Sequence, residues 1–337
     1  MRIPKWVRYA AGILISLACL VFIAFQVNLG EVLAALEHFR WPFMLAAVAS
    51  LTFGYAMRIV RWSVMLRNAG ATVTAWECAA PFLGSIAMNN VLPLRLGDVT
   101  RALIFPGAIG VTRVTATGSL VLERLIDLAT LIICLMLGIS FSTGITVPQW
   151  VNEAALVLAA AGIGGLLFLL VAAPWLSRKF QWLSENIGKP GGLLRKLLGT
   201  GALLLVSVAA MSRPVVILRL LVLSAFVWVG EVGVFYFVLQ GFGGAASLAS
   251  ATIVMAIATI ATLVPSSPGY VGPFHAAAFT AVAMLGGRPE VAASFALLVH
   301  LALWLPTTVV GGIAILTKPA LFTGAPRQPA AGPLDAR

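Results

Sequence analysis

Long apolar runs alternate with short polar joints along almost the whole chain. Most of the runs reach the roughly 20 residues that a helix needs to cross a hydrocarbon core. The first lies at about Val7–Val27, and a joint carrying Glu31, Glu37, His38 and Arg40 follows it. Further spans are expected at about Trp41–Leu66, Ala116–Ile139, Asn152–Ala173, Leu218–Leu239 and Val291–Leu316. Arg58, Arg61 and Arg67 fall at the far end of the second span, where long basic side chains snorkel to the interface. Trp41 and Trp62 suit interfacial anchors. Thr200–Met211 is apolar but too short to span alone, and is either an interfacial helix or the first part of a bent one.

Two stretches depart from this pattern. Cys78–Pro106 contains NNVLPLRLGDVTRA (Asn89–Ala102), where Pro93, Gly97 and charged side chains interrupt the apolar run. Ala249–Leu285 contains PSSPGYVGPFH (Pro265–His275), whose three prolines and two glycines between Pro265 and Pro273 exclude a regular helix. Neither stretch offers two full spans, so each is expected to be a helix–break–helix that enters and leaves on one side.

Composition excludes a soluble enzyme. Hydrophobic residues make up 61% of the 337 and charged ones only 10%, against about 25% in an ordinary soluble domain. The net charge of +11 sits mostly in the joints, where it reports orientation and not nucleic acid; no zinc-finger, helix-turn-helix or RNA-binding signature is present. With the N-terminus inside and both breaks re-entrant, the inside joints hold Arg2, Lys5, Arg8, Arg67, Arg113, the Arg178–Lys196 group, Arg213, Arg219 and Lys318, and the outside keeps Arg40 and Arg288. The expected fold is an all-α polytopic protein of the bacterial cytoplasmic membrane. It has six full transmembrane helices and two re-entrant hairpins of opposite orientation, with both termini cytoplasmic. Hydropathy, and not matching residues, suggests an inverted repeat. Residues 1–320 form one membrane domain, and the Ala-, Pro- and Gly-rich tail over 322–337 is expected to be disordered. The basic N-terminus, with no A-x-A-like cleavage site after its apolar run, is a retained helix.

Ionisable groups inside a membrane face a cavity or pair with one another. Asp98 is three residues from both Arg95 and Arg101, so the three share a face if the segment after Pro93 is helical. Asn89 and Asn90 supply hydrogen bonds at the turn and can cap the second arm; together with free backbone N–H groups the trio can hold a phosphate. Glu123 and Asp127 lie on one face of their helix with Arg124 nearby. A salt bridge from Arg95 or Arg101 to Glu123 or Asp127 stands level with a direct role in binding. Glu231 either neutralises an arginine or carries a proton, and His275 is a coupling candidate or a plain hydrogen-bonded histidine. His300 is read the same way. Ser266 and Ser267 can hydrogen-bond a headgroup, while Pro265, Pro268, Gly269 and Gly272 set the second bend. Cys19, Cys78 and Cys134 form no CxxC pair and are read as apolar fillers. GKPGG (Gly188–Gly192) lacks phosphate-loop spacing, and neither HExxH nor GxSxG occurs. No metal or cofactor is expected.

The two breaks and the order of helices resemble the lysylphosphatidylglycerol synthase transmembrane family over about residues 10–317. The resemblance rests on Asn89, Asn90, Pro93, Arg95, Gly97, Asp98 and Arg101, on Glu123, Arg124 and Asp127, and on Pro265, Pro268, Gly269 and Gly272. Asp98 stands where the family commonly has Glu, and Phe274 and His275 stand where it often has an acid. The resemblance implies movement of lipids or lipid-linked precursors between leaflets, and the aminoacyl-transfer domain of the namesake is missing from this sequence. It implies hopanoid, glycolipid or polyprenyl-phosphate metabolism without choosing among them. The expected partner is a lipid with an anionic or phosphate headgroup, held by Arg95, Arg101, Arg124, Asn89, Asn90 and Ser267, with lipid-pathway enzymes as possible neighbours. Asp98, Glu123, Asp127, Glu231 and His275 would pair or couple. A scaffold for a lipid-modifying complex and an intramembrane lipid-modifying enzyme are the rival functions.

Overall fold

The computed structural model describes residues 5–142, 149–186, 192–243, 246–264 and 266–323, and all regular structure among them is helical. Pro265, positions 188–191 of the glycine-rich turn and the tail from 324 lie outside the described residues. In chain order the first helices are α1 (Lys5–Ala24), α2 (Leu29–Glu37) and α3 (Pro42–Asn68). The first break is α4 (Ala75–Val91), a tight turn at Pro93–Arg95 and α5 (Leu96–Leu103). Then come α6 (Arg113–Phe141), α7 (Gln149–Asn186), α8 (Leu193–Met211) and α9 (Pro214–Gly241). The second break joins α10 (Leu248–Ala261) to α11 (Pro273–Met284) through a turn at Pro268–Tyr270, before α12 (Pro289–Thr317) and the short α13 (Ala320–Thr323).

Among the described residues, α3, α9, α12 and Leu194–Met211 of α8 are long and apolar enough to cross a membrane. The number rises to six if α1 with α2, bent by 84°, and the two halves of α7, bent by 49°, each make one span. Local chemistry sets the boundaries. Thr74 and Glu77 form a reciprocal capping box on α4, and the Thr112 and Ser247 hydroxyls accept from Thr115 N and Ser250 N to start α6 and α10. Pro42, Pro214 and Pro289 occupy first turns, where the missing N–H costs nothing.

Pairing of helices builds the core. α3 and α9 run antiparallel: Arg40 N meets Gly241 O at one end, Ser50 Oγ donates to Gly230 O at 2.9 Å, and Arg61 reaches Ser224 further along. Gly54 and Gly230 let the two backbones touch, since a Cβ on Gly230 would lie 2.7 Å from Gly54 Cα. α4 and α12 are antiparallel as well, with Gly84 against Ile315 and Asn90 against Thr307 and Thr308. α6 and α10 pack with Gly138 against Ala249 and Ile253. After α5 the chain doubles back along α4, with Phe105 beside Gly84 and with Ile109 and Val111 in one buried cluster with Val73 and Cys78.

Several expectations change. The joint after α1 is itself a helix, α2, whose Val32 is pinned through its carbonyl by Ser294. α7 does not stop near Ala173 but runs through Pro174 to Asn186, and α8 starts at Leu193 and not at Thr200. The leucines at 194, 197 and 198, three and four residues apart, continue the helical spacing past Arg195 and Lys196. Trp62 is no interfacial anchor: it is buried and its indole donates to Ser119. Trp41 is exposed at the start of α3.

Candidate functional site

Nine charged side chains from α3, α5, α6, α9 and the first break lie among these helices; Arg61, Asp98, Arg101, Glu123 and Asp127 are buried, and the Arg124 side chain is 41% exposed. Arg58 and Arg61 were expected at an interface, but Arg61 has no exposed surface. It donates to Asp127 at 2.6 Å and to Ser224 at 2.8 Å. Arg58, one turn earlier on the same face, bridges Glu231 at 3.2 Å and Asp127 at 3.7 Å. Their i, i+3 spacing is the signal that a reading by hydropathy overlooked. In the seam between α3, α6 and α9 the two guanidinium groups are held by ion pairs within the protein.

Arg95, Asp98 and Arg101 do not act as one trio. Leu94 and Arg95 both take left-handed backbone angles (φ 58° and 53°), so Arg95 precedes α5 and turns away from its face. Asp98 accepts from Arg124 at 2.7 Å and from Asn89 at 3.0 Å, while Asn89 Oδ1 accepts from Asp98 N and caps α5. Asn89 and Asn90 belong to the last turn of α4 and not to a non-helical loop. Arg101 is buried, donates to Glu123 at 2.8 Å, and lies over the rings of Phe82 and Trp62 at 4.6 and 5.4 Å. Four arginines thus meet four carboxylates. Arg95 is left over: among the described residues it has no carboxylate partner, donates to Thr262 O at 3.1 Å and lies 5.4 Å over the Tyr270 ring.

The second break repeats the first. Pro93-Leu94-Arg95-Leu96-Gly97 and Pro268-Gly269-Tyr270-Val271-Gly272 share a Pro-x-x-x-Gly spacing, and the second and third residues of each are left-handed. Arg95 and Tyr270 hold the same place in the two turns and touch each other. Each final glycine is required by a close approach, Gly97 against the Ser85 carbonyl and Gly272 against Ser16 of α1. Ser267 is engaged within the turn: its N–H donates to Ser16 Oγ at 3.0 Å and its hydroxyl to Val271 O at 3.2 Å. His275 accepts weakly from Gly272 N at 3.4 Å, and its ring lies 4.6 Å from that of His300.

A cavity of about 140 Å³ opens beside the turns, lined from α3, α4, α9, α10, α12 and the second break by residues that include Tyr55, Asn90, Glu231, Tyr270 and Trp304. Asn90 spans its edge, donating to Thr307 at 3.0 Å and Thr308 at 2.9 Å. No cluster of His, Cys, Asp and Glu able to hold a metal occurs among the described residues.

Fold and site define a helical membrane protein with an ion-paired interior next to a polar cavity at two helix breaks. The model of the lysylphosphatidylglycerol synthase TM region matches residues 9–311, and the chain belongs to that family. It is also similar to the glycosyltransferase AglD of Haloferax volcanii, 26% identical over 164 residues that make up 49% of this chain and 26% of that protein. The aligned stretch thus spans about a quarter of that relative's length. No solved structure matches the chain significantly. The family ties the chain to a membrane function related to lipids.

Proposed function

We propose that the chain moves a lipid headgroup between leaflets of the bacterial cytoplasmic membrane, through a crossing point where two hairpins meet. The observation that carries this reading is the pair of conformationally equivalent breaks in contact at Arg95 and Tyr270, beside the cavity. The helix directions support it. α9 opposes α3, α12 opposes α4, and the first hairpin doubles back along α4 until Ile109 and Val111 join Val73 and Cys78 in one buried cluster. With the N-terminus cytoplasmic, α4–α5 then enters from the inside and α10–α11 from the outside, an inverted repeat of α3–α6 and α9–α12 with six crossings. α8 runs on into α9 through only Ser212 and Arg213 and adds no separate crossing. Arg178, Lys179, Arg195 and Lys196 of the α7–α8 hairpin then lie inside with Arg67, Arg113 and Lys318.

Arg95 is the surplus cation at the crossing point and is assigned to the anionic headgroup, with Asn90 as its hydrogen-bonding neighbour. Arg101, Arg124, Asn89, Asp98 and Glu123 hold the first hairpin on α6, Asp127 ties α6 to Arg58 and Arg61 of α3, and Arg58 with Glu231 ties α3 to α9 at the cavity wall. Acyl or prenyl tails stay in lipid while the headgroup passes. The test is leaflet exchange in proteoliposomes carrying labelled polyprenyl phosphate. The intact protein accelerates exchange, and Arg95→Gln, monodisperse in detergent, slows it by about tenfold or more, the scale of one lost charged hydrogen bond. Equal rates with and without protein would sink the reading.

A further inference from the structure

The cavity is poorly made for a phosphate. Neither Lys nor Arg is among its lining residues. Arg95 is held outside it, on the Thr262 carbonyl and the Tyr270 ring. What lines it instead is an aromatic wall of Tyr55, Tyr270, Phe274 and Trp304 together with side chains that both donate and accept hydrogen bonds. Thr259 and Thr262 present hydroxyls, and Asn90 keeps its side-chain Oδ1 without a protein partner among the described residues, while its backbone carbonyl accepts from the Trp304 indole. His300 lines the cavity and its ring makes no hydrogen bond to protein among the described residues. Glu231 commits one oxygen to Arg58, and its other oxygen has no hydrogen-bond partner among the described residues.

This set suits a ring with apolar faces and hydroxyl edges. Aromatic rings cover C–H faces, and amide, hydroxyl, imidazole and carboxylate groups pair with hydroxyls that act as both donor and acceptor. A cationic headgroup fits less well. The Glu231 carboxylate is already neutralised by Arg58 at 3.2 Å. The Arg58 guanidinium lies 5.7 Å from the Tyr55 ring centre and that of Arg95 lies 5.4 Å from the Tyr270 ring centre, so both tyrosines already carry a cation on one face. A second cation there meets two arginines. The cavity is also small, about 140 Å³, the scale of one ring and not of an oligosaccharide.

We propose that this cavity receives the uncharged, polyhydroxylated part of a lipid-linked sugar, a single glycosyl ring, while the phosphate that joins it to the lipid rests against Arg95. The inference builds on the translocation reading and names its substrate class.

The experiment compares three labelled lipids in the same proteoliposomes of phosphatidylcholine and phosphatidylglycerol: polyprenyl phosphate, the same lipid carrying one hexose on its phosphate, and aminoacyl-phosphatidylglycerol. The hexosyl lipid is expected to exchange at least about tenfold faster than the bare phosphate, because hydroxyls that find partners in a polar cavity discriminate strongly against their absence. Trp304→Leu is expected to bring the ratio of the hexosyl to the bare-phosphate rate down towards one, a ratio that a uniform loss of exchange does not move. Thr259→Val, a milder change, reduces the preference without altering the elution or the melting of the protein in detergent. Equal rates for hexosyl and bare phosphate overturn the sugar assignment and leave translocation standing. Preference for the aminoacyl lipid overturns it in favour of a cationic group. If none of the three lipids moves, translocation and this assignment fall together.

Discussion

Arg61 has no surface exposed to lipid or water, and its charge is answered by Asp127 at 2.6 Å and a serine at 2.8 Å. Removing one member of such a pair leaves the other charged and buried, which costs about 3–5 kcal/mol; removing both in favour of apolar groups is often neutral. The prediction at this scale uses Arg101 and Glu123, which are equally buried and pair with each other at 2.8 Å. Glu123→Leu alone lowers stability by about 3 kcal/mol or more, whereas Arg101→Met with Glu123→Leu recovers most of it. Denaturant unfolding in detergent micelles reads both. If the double variant is as unstable as the single one, the pair is not the unit assumed. Glu123, Asp127 and the arginines of the first break were legible in the sequence as intramembrane charges. Arg101 to Glu123 was among the bridges the sequence offered, and the structure forms it; the partners of Arg58, Arg61 and Arg124 were not legible, because pairing depends on how α3, α5, α6 and α9 approach one another. Arg58 and Arg61 looked terminal because a hydropathy window ends a span at its first arginines, while their i, i+3 spacing points to a shared face.

The two breaks were legible as elements, since proline and glycine forbid a continuous helix regardless of the surroundings. Their equivalence was hidden in five residues, Pro-x-x-x-Gly, with different side chains between. The α7–α8 hairpin was misread because basic residues sit on a continuing leucine stripe, so charge masked periodicity. Gly97 gives the prediction at this scale. Its Cβ would run into the Ser85 carbonyl and the Asn89 side chain, so Gly97→Ala pushes α5 off α4 and costs about 1–3 kcal/mol. Gly199→Ala, in the interior of α8 with nothing within 4 Å of its Cβ, is expected to stabilise by roughly 0.5–1 kcal/mol. Thermal unfolding of the two purified variants against the parent checks the contrast. Equal shifts would mean that the close packing at Gly97 carries no weight.

For the whole molecule, the proposal of two hairpins inserted from opposite faces, with Arg95 between them, rests on charge bias, antiparallel pairing and the equivalent breaks. The membrane class and the ordering of spans came from composition and run length alone, since too few charges remain to clothe a soluble surface. The cavity did not, because its wall draws residues from six helices and a turn that are far apart along the chain. The most direct measurement is side-specific thiol labelling in right-side-out and inverted vesicles. Single cysteines are placed in a variant lacking Cys19, Cys78 and Cys134. Thr72→Cys precedes the first hairpin and Arg113→Cys follows it; Ser247→Cys precedes the second and Arg288→Cys follows it. The predicted result is that an impermeant reagent reaches the first two from the cytoplasmic face only and the last two from the opposite face only. If the two members of either pair label from opposite faces, that segment crosses the membrane, and a crossing point built from two opposed hairpins does not exist.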